Sequence, residues 1–169
     1  MNAIGVGRNR RPTDVRSTVS ENGKNRAGDE DIPHRRRAIA AYDGANVSSL
    51  GPLWNGSSII ADINDGAFDV SFANANAQGS WILTRTGGSA ETLYKNGTSV
   101  NAYTNASSGL VSVPIYVLAR NNNGSEDQNS QNGVNIGYAF YGAGMTATDV
   151  TNMRSRLNTY MTAVGASGC

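Results

Sequence analysis

From Ala38 onward the chain is a series of short apolar or alternating runs, each closed by Gly, Asn or Ser: AIAAYDG, SIIADIN, AFDVSFAN, SWILTRT, ETLYKNG and VPIYVLAR. Phe68, Val70 and Phe72 alternate with Asp69 and Ser71, and Val134, Ile136, Tyr138 and Phe140 alternate with Asn135, Gly137 and Ala139. A period of two places one apolar and one polar face on a strand. Gly87-Gly88-Ser89 reads as a hairpin turn. Asn96-Gly97 is a stronger hairpin signal, because both residues tolerate the positive φ that a tight turn demands. The period changes only near the C-terminus, where Val150, Met153, Leu157, Tyr160, Met161 and Val164 recur at three- and four-residue steps. That stripe predicts a helix near 147–164. Thr146 is its N-cap with Asp149 as the capping-box partner, Met145 and Val150 form a hydrophobic staple, and Gly165 is the stop. Closely spaced strands without intervening helices predict an all-β fold, an antiparallel sandwich or barrel covering 38–165 and closed by one helix.

Residues 1–37 carry few large apolar side chains, and Ile4, Val6, Val15, Val19 and Ile32 show no period. Such a segment predicts an extended N-terminal arm. The net charge of +1 hides an asymmetry: residues 1–40 hold nine of the fourteen Lys and Arg but only five of the thirteen Asp and Glu. A basic arm thus leads a mildly acidic body. Arg8, Arg10, Arg11, Arg16, Arg35, Arg36 and Arg37 are its attachment residues, fitted to an acidic protein surface or to nucleic acid. The only cysteine is Cys169, so no internal disulfide is expected, and no apolar run approaches membrane-spanning length. No secretory leader is expected in front of the arm.

Candidate chemistry is sparse. Asp62, Asp65 and Asp69 surround the turn Asn64-Asp65-Gly66 and read as turn formers rather than as a catalytic pair. His34, the only histidine, stands beside three arginines. One His and one Cys make neither a nucleophilic triad nor a zinc site, and Gly5-x-Gly7 is too short for a phosphate loop. No enzyme, cofactor or metal site is expected. Trp81, Tyr116 and Tyr138 lie in strand runs and read as core. Trp54, Tyr103 and Tyr141 read as surface aromatics that, with Asn121, Asn122, Asn123 and Asp127, could contact a glycan or a partner. Arg120 to Gly133, RNNNGSEDQNSQNG, reads as a long solvent-facing loop between two strands. Glu126, Asp127 and Asn129 could offer oxygens to calcium, but the order of an EF-hand loop is not met. Asn55, Asn96, Asn105 and Asn123 head glycosylation-type tripeptides of the kind that chance supplies in such a composition.

LYKNGTSV, VPIYVLARNNNG and GYAFYGAGMTATDVTNMRSRLNTYMTAVG together resemble the C-terminal half of concanavalin A-like (laminin-G-like) jelly-roll domains, over about residues 57–165. The ending is similar to that of bacteriophage virion proteins of the tail or head-decoration kind. The resemblance implies a jelly-roll-like sandwich in a phage virion structural protein, displayed on a capsid or tail and tethered by the arm. Its implied partners are other virion proteins, further copies of itself and a surface glycan, with no membrane. It leaves two alternatives, a lectin-like carbohydrate-binding adhesion module and a nucleic-acid-binding arm. The Glu-x-Asp-x-x-Glu strand of the glucanases of this fold is missing here. The chain also leaves little room for strands before SIIADIN, which implies a minimal sandwich, a shortened relative, or strands supplied by a neighbouring subunit.

Overall fold

A computed structural model describes residues 1–8, 37–54, 57–67, 70–127 and 136–165. Two sheets pack face to face as a β-sandwich. The five-stranded sheet has the order β12 (Tyr138–Ala143), β1 (Asn2–Arg8), β6 (Gly79–Arg85), β7 (Ala90–Lys95) and β8 (Thr98–Thr104). The other runs β11 (Ser125–Asp127), β10 (Arg120–Asn122), β2 (Ile39–Tyr42), β3 (Val47–Trp54), β4 (Ser58–Asp65) and β5 (Ser71–Ala73), with β9 (Tyr116–Val117) also paired to β2. Ile4, Val6, Leu83 and Leu93 from the first sheet meet Ile39, Leu50, Ile59 and Ile63 from the second, all buried. Burying one such side chain stabilises the fold by about 1.5–3 kcal/mol.

The first residues are not an arm. Asn2–Arg8 is a central strand, antiparallel to both β6 and β12. Its period of two is hidden because the partners of Ile4 and Val6 are glycines rather than polar residues. Ile4 and Val6 enter the core, while Gly5 and Gly7 lie opposite Phe140 and Tyr138. A Cβ on Gly5 would stand 2.3 Å from the Phe140 ring, and one on Gly7 2.1 Å from the Tyr138 ring. The two rings stack nearly parallel, 6.4 Å apart, over backbone that only glycine leaves bare. With β1, β2 and β3 ahead of β4, the shortage of early strands disappears.

Arg37 also belongs to the sandwich. It is buried, donates to Ser49 Oγ, and lies 4.5 Å from the centre of the Trp54 ring. Arg10, Arg11, Arg16, Arg35 and Arg36 fall outside the described residues. So does the side chain of Arg8, whose backbone belongs to β1.

The run VPIYVLAR is not one strand. Leu118 takes a left-handed φ of 65° and donates its N–H to Ala38 O at 2.9 Å, which redirects the chain between β9 and β10. As a result β10 pairs with β2 in parallel, an exception to the expected antiparallel order. The amide-rich run then turns at Asn123-Gly124, with φ of 49° and 95°, into the β10–β11 hairpin. Its remainder, 128–133, lies outside the described residues. In AFDVSFAN only Ser71–Ala73 is strand, and Phe68 and Asp69 are not described.

The Asn96-Gly97 turn forms as expected, with φ of 52° and 79°. So does the helix, α1 (Ala147–Ala163), with both capping-box bonds between Thr146 and Asp149. It covers the outer face of the five-stranded sheet, where Val150 packs with Ile82, Tyr94, Phe140 and Met145. The buried stripe is narrower than predicted, because Tyr160 and Val164 are exposed.

If the glycine seats of β1 hold the two rings, Gly5→Val and Gly7→Val will each lower stability by about 1–3 kcal/mol through overpacking. Gly142→Ala, with open space around its Cβ, will change stability by less than about 0.5 kcal/mol. Thermal denaturation followed by circular dichroism checks this, and equal melting points for Gly7→Val and the parent would refute the ring seat.

Candidate functional site

Two polar arrangements stand out, one sealed and one open. The sealed one is built by the Gly87-Gly88-Ser89 turn, which sets Arg85 directly across from Glu91, while β7–β8 pairing sets Glu91 across from Tyr103. Residues paired in this way share a face. The row lies at one end of the sandwich interior, where Asp65 of β4 meets it.

Arg85 is 2% exposed and donates four hydrogen bonds. Nε donates to Ile63 O at 2.8 Å, Nη1 to Gly88 O at 3.1 Å and Asn105 O at 2.5 Å, and Nη2 to the carboxylate of Asp65. Nη2 also forms an ion pair with Glu91, whose carboxylate oxygens are buried without a hydrogen bond among the described residues. Tyr103 donates its phenol to Ala61 O at 2.7 Å and packs its ring 5.4 Å from that of Phe72. Asp62 is buried nearby on β4 and accepts from Val70 N at 3.2 Å.

One cation facing two buried carboxylates cannot keep both in the charged form cheaply. Burial raises the Glu91 carboxyl to about 7, and the negative charge of Asp65 adds to this against the pull of Tyr103 and Arg85. Burial and the neighbouring carboxylates push the Tyr103 phenol upward as well. Asp65 is not the turn former expected, because its carboxylate points into the cluster, and Asp69 is not described. With Asp65 and Glu91 at 1% and 2% exposure, the cluster works as a clasp between strands.

The residues expected at a surface contact do not form one group. Tyr103 is half-buried in the clasp region rather than on the surface. Trp54 sits beneath Arg37 in the other sheet. Asn121 is buried, donating to Pro114 O and accepting from Gly124 N, both at 2.8 Å, so it fixes its own hairpin. Asp127 holds Arg120 in a two-point ion pair and accepts from Asn122 at 2.9 Å; these donors keep its carboxyl below the usual range. Asn123 is exposed at the turn. Tyr141, 36% exposed, accepts from Asn2 at 2.5 Å and donates to Asn64 Oδ1 at 3.2 Å.

The open arrangement is a cleft of about 450 Å³ between the β7–β8 turn and α1. Asn96, Gly97 and Thr98 form one wall. Thr151, Arg154, Ser155, Asn158 and Thr159 form the other. Those helical positions recur at three- and four-residue steps, so they are one face of α1. Every side chain on both walls is polar. Arg154 lies outside the apolar stripe of α1, and this second, polar stripe follows the same spacing.

No protein-family model matches this chain, and no curated protein is detectably similar to it.

The clasp makes stability depend on pH. Glu91 has a pKa of about 7 when folded against 4.5 for an unperturbed carboxyl. Between those values the folded chain holds a proton that the unfolded chain has released. Its stabilising contribution is therefore complete below 4.5 and is lost as pH rises through about 7. Glu91→Gln will flatten this slope, so the variant gains melting temperature relative to the parent on going from pH 5 to pH 8. A constant difference between the two proteins across that range would show that Glu91 is charged throughout.

Proposed function

We propose that this chain is a structural component of a bacteriophage particle, a concanavalin A-like jelly-roll sandwich displayed on a capsid or tail. The observation that carries the reading is the edge of the five-stranded sheet. It ends at β12, YAFYGA, a strand in unbroken register with β1, with neither charge nor proline. Soluble monomers usually blunt such an edge, because its free backbone groups accept another strand. Among the described residues β12 has no partner beyond β1. A second copy, or a neighbouring virion protein, adds there.

The tether reading changes form. The arginines outside the described residues lie between Arg8, in β1, and the buried Arg37, so both ends of that segment are anchored in the sandwich. The arginines of that segment contact an acidic particle surface. The adhesion alternative draws no support from Trp54 or Tyr103, whose rings are taken up by contacts inside the fold. The nucleic-acid alternative rests on the same arginines as the tether and has no further observation in its favour.

Two outcomes follow. The parent will sediment as an oligomer at about 10 μM, and Ala139→Lys, which places a charge on the β12 edge, will shift it towards monomer. A monodisperse parent monomer at that concentration would remove the edge-pairing argument. Replacing Arg10, Arg11, Arg16, Arg35 and Arg36 together by Ser will reduce incorporation into particles severalfold, as measured by mass spectrometry of purified particles. Undiminished incorporation would end the tether reading.

A further inference from the structure

Asn96-Gly97 and Asn123-Gly124 are more than turns, because in each the backbone can attack a side chain of its own. Glycine puts no Cβ in the way of its amide nitrogen. Once that nitrogen loses its proton it can bond to the preceding Asn Cγ, and the side-chain nitrogen leaves as ammonia. Water then opens the five-membered imide at one of its two carbonyls. The product is Asp, or an isoaspartate whose main chain runs through Cγ. For the first step the nitrogen must come within about 3–3.5 Å of Cγ with its lone pair aimed at the carbon.

The fold blocks this step differently at the two turns. At Asn96 it fixes the group under attack. Asn96 Oδ1 accepts from Ser80 N at 2.9 Å, and Asn96 N donates to Ser80 O at 2.8 Å. The amide lies so close to Gly79 that a Cβ there would stand 2.5 Å from Oδ1. At Asn123 the side chain is exposed and makes no hydrogen bond among the described residues. There the attacking nitrogen is held instead: Gly124 N donates to Asn121 Oδ1 at 2.8 Å. Asn121 is 1% exposed and donates its own amide to Pro114 O at 2.8 Å. The safety of this turn thus rests on one buried side chain. Among the described residues β11 is the outermost strand of its sheet, so the hairpin can open without displacing another strand.

We propose that Asn123 is a latent deamidation site, shielded in the folded chain by Asn121 and released when the β10–β11 hairpin opens. Either product puts a new carboxylate at the turn, close in sequence to Glu126 and Asp127. Isoaspartate also adds one backbone carbon, which breaks the pairing of Asn122 with Ser125. A hairpin that has opened and reacted therefore cannot close as before. The site is independent of where in a particle the chain is mounted.

Peptide-mapping mass spectrometry of the full chain, incubated folded and in urea, follows both turns. In urea Asn96 and Asn123 will convert at comparable rates, and in the folded parent Asn123 will convert at least about tenfold more slowly. Asn121→Ala will speed conversion of Asn123 severalfold over the folded parent. Asn96 will keep its parent rate in that variant, which shows that the variant is folded. The proposal is overturned if Asn123 converts as fast in the folded parent as in urea. It is equally overturned if Asn121→Ala leaves both turns at their parent rates. Should Asn96 accelerate too, the variant has unfolded, and hydrogen exchange at the Gly124 amide of the parent decides. That amide will exchange at least about tenfold more slowly than in the unfolded chain, and exchange at the unfolded rate would refute the shield.

Discussion

The interior of this sandwich is organised by one guanidinium. Arg85 lies where solvent cannot reach it, and an arginine there is tolerated only when its charge is balanced and every N–H is met. Asp65 and Glu91 balance the charge, and three backbone carbonyls together with Asp65 accept its hydrogen bonds. The carbonyls belong to β4, to the β6–β7 turn and to the segment after β8, so one side chain links both sheets to a turn and a loop. Such a clasp is weak evidence of net stabilisation, because its groups were well solvated before folding. Breaking it is another matter, since removing one partner strands the others at a cost of about 3–5 kcal/mol. Its larger effect is on register. A one-residue slip between β6 and β7 would turn Arg85 to the opposite face from its carboxylates, so the cluster penalises mispairing that hydrophobic alternation alone would penalise less.

The opposite face of the same sheet follows a different rule. There α1 seats Val150 on Ile82 and Tyr94 but leaves its polar stripe facing the β7–β8 turn. The two sites therefore share the β6–β8 region, one on its inner side and dry, the other on its outer side and wet. That separation explains why the closely gathered carboxylates and the open cleft do not coincide. The carboxylates are consumed by structure, and the cleft is lined without them.

Much of the architecture was legible where a local rule acts. Asn96-Gly97 needs positive φ, and α1 declares itself by its cap and its period. The Arg85–Glu91 pair was legible too, since the Gly-Gly-Ser turn places those positions opposite one another, but pairing across a hairpin has to be worked out before the charges become visible. Asn123-Gly124 carries the same turn signal as Asn96-Gly97 and was obscured by the surrounding amides, which read as loop. Three features were not local. β1 is recognisable only once Phe140 and Tyr138 are known to roof its glycines. β3 hides its strand character behind Ser48, Ser49, Gly51 and Pro52. The parallel docking of β10 depends on a strained Leu118, whose conformation no propensity would select. The cleft was half legible: the polar period of α1 is in the sequence, but the turn that it faces is a tertiary fact.

The central place of β1 bears on how the chain reaches its native state. One flank pairs with β6, and the other pairs with a strand whose Tyr141 is 139 positions from the Asn2 that it touches. Contacts of such separation must be preceded by a large loss of chain entropy, and folds dominated by them form slowly. On a ribosome, β1 has to wait for the synthesis of β12 before its sheet can close. During that interval Ile4 and Val6 are apolar groups on a strand with two open sides, available to any neighbouring nascent chain. The pairing of β1 with β12 thus delays completion of the sandwich until β12 has been made, and crowding of unfinished chains is the condition under which this protein would misassemble.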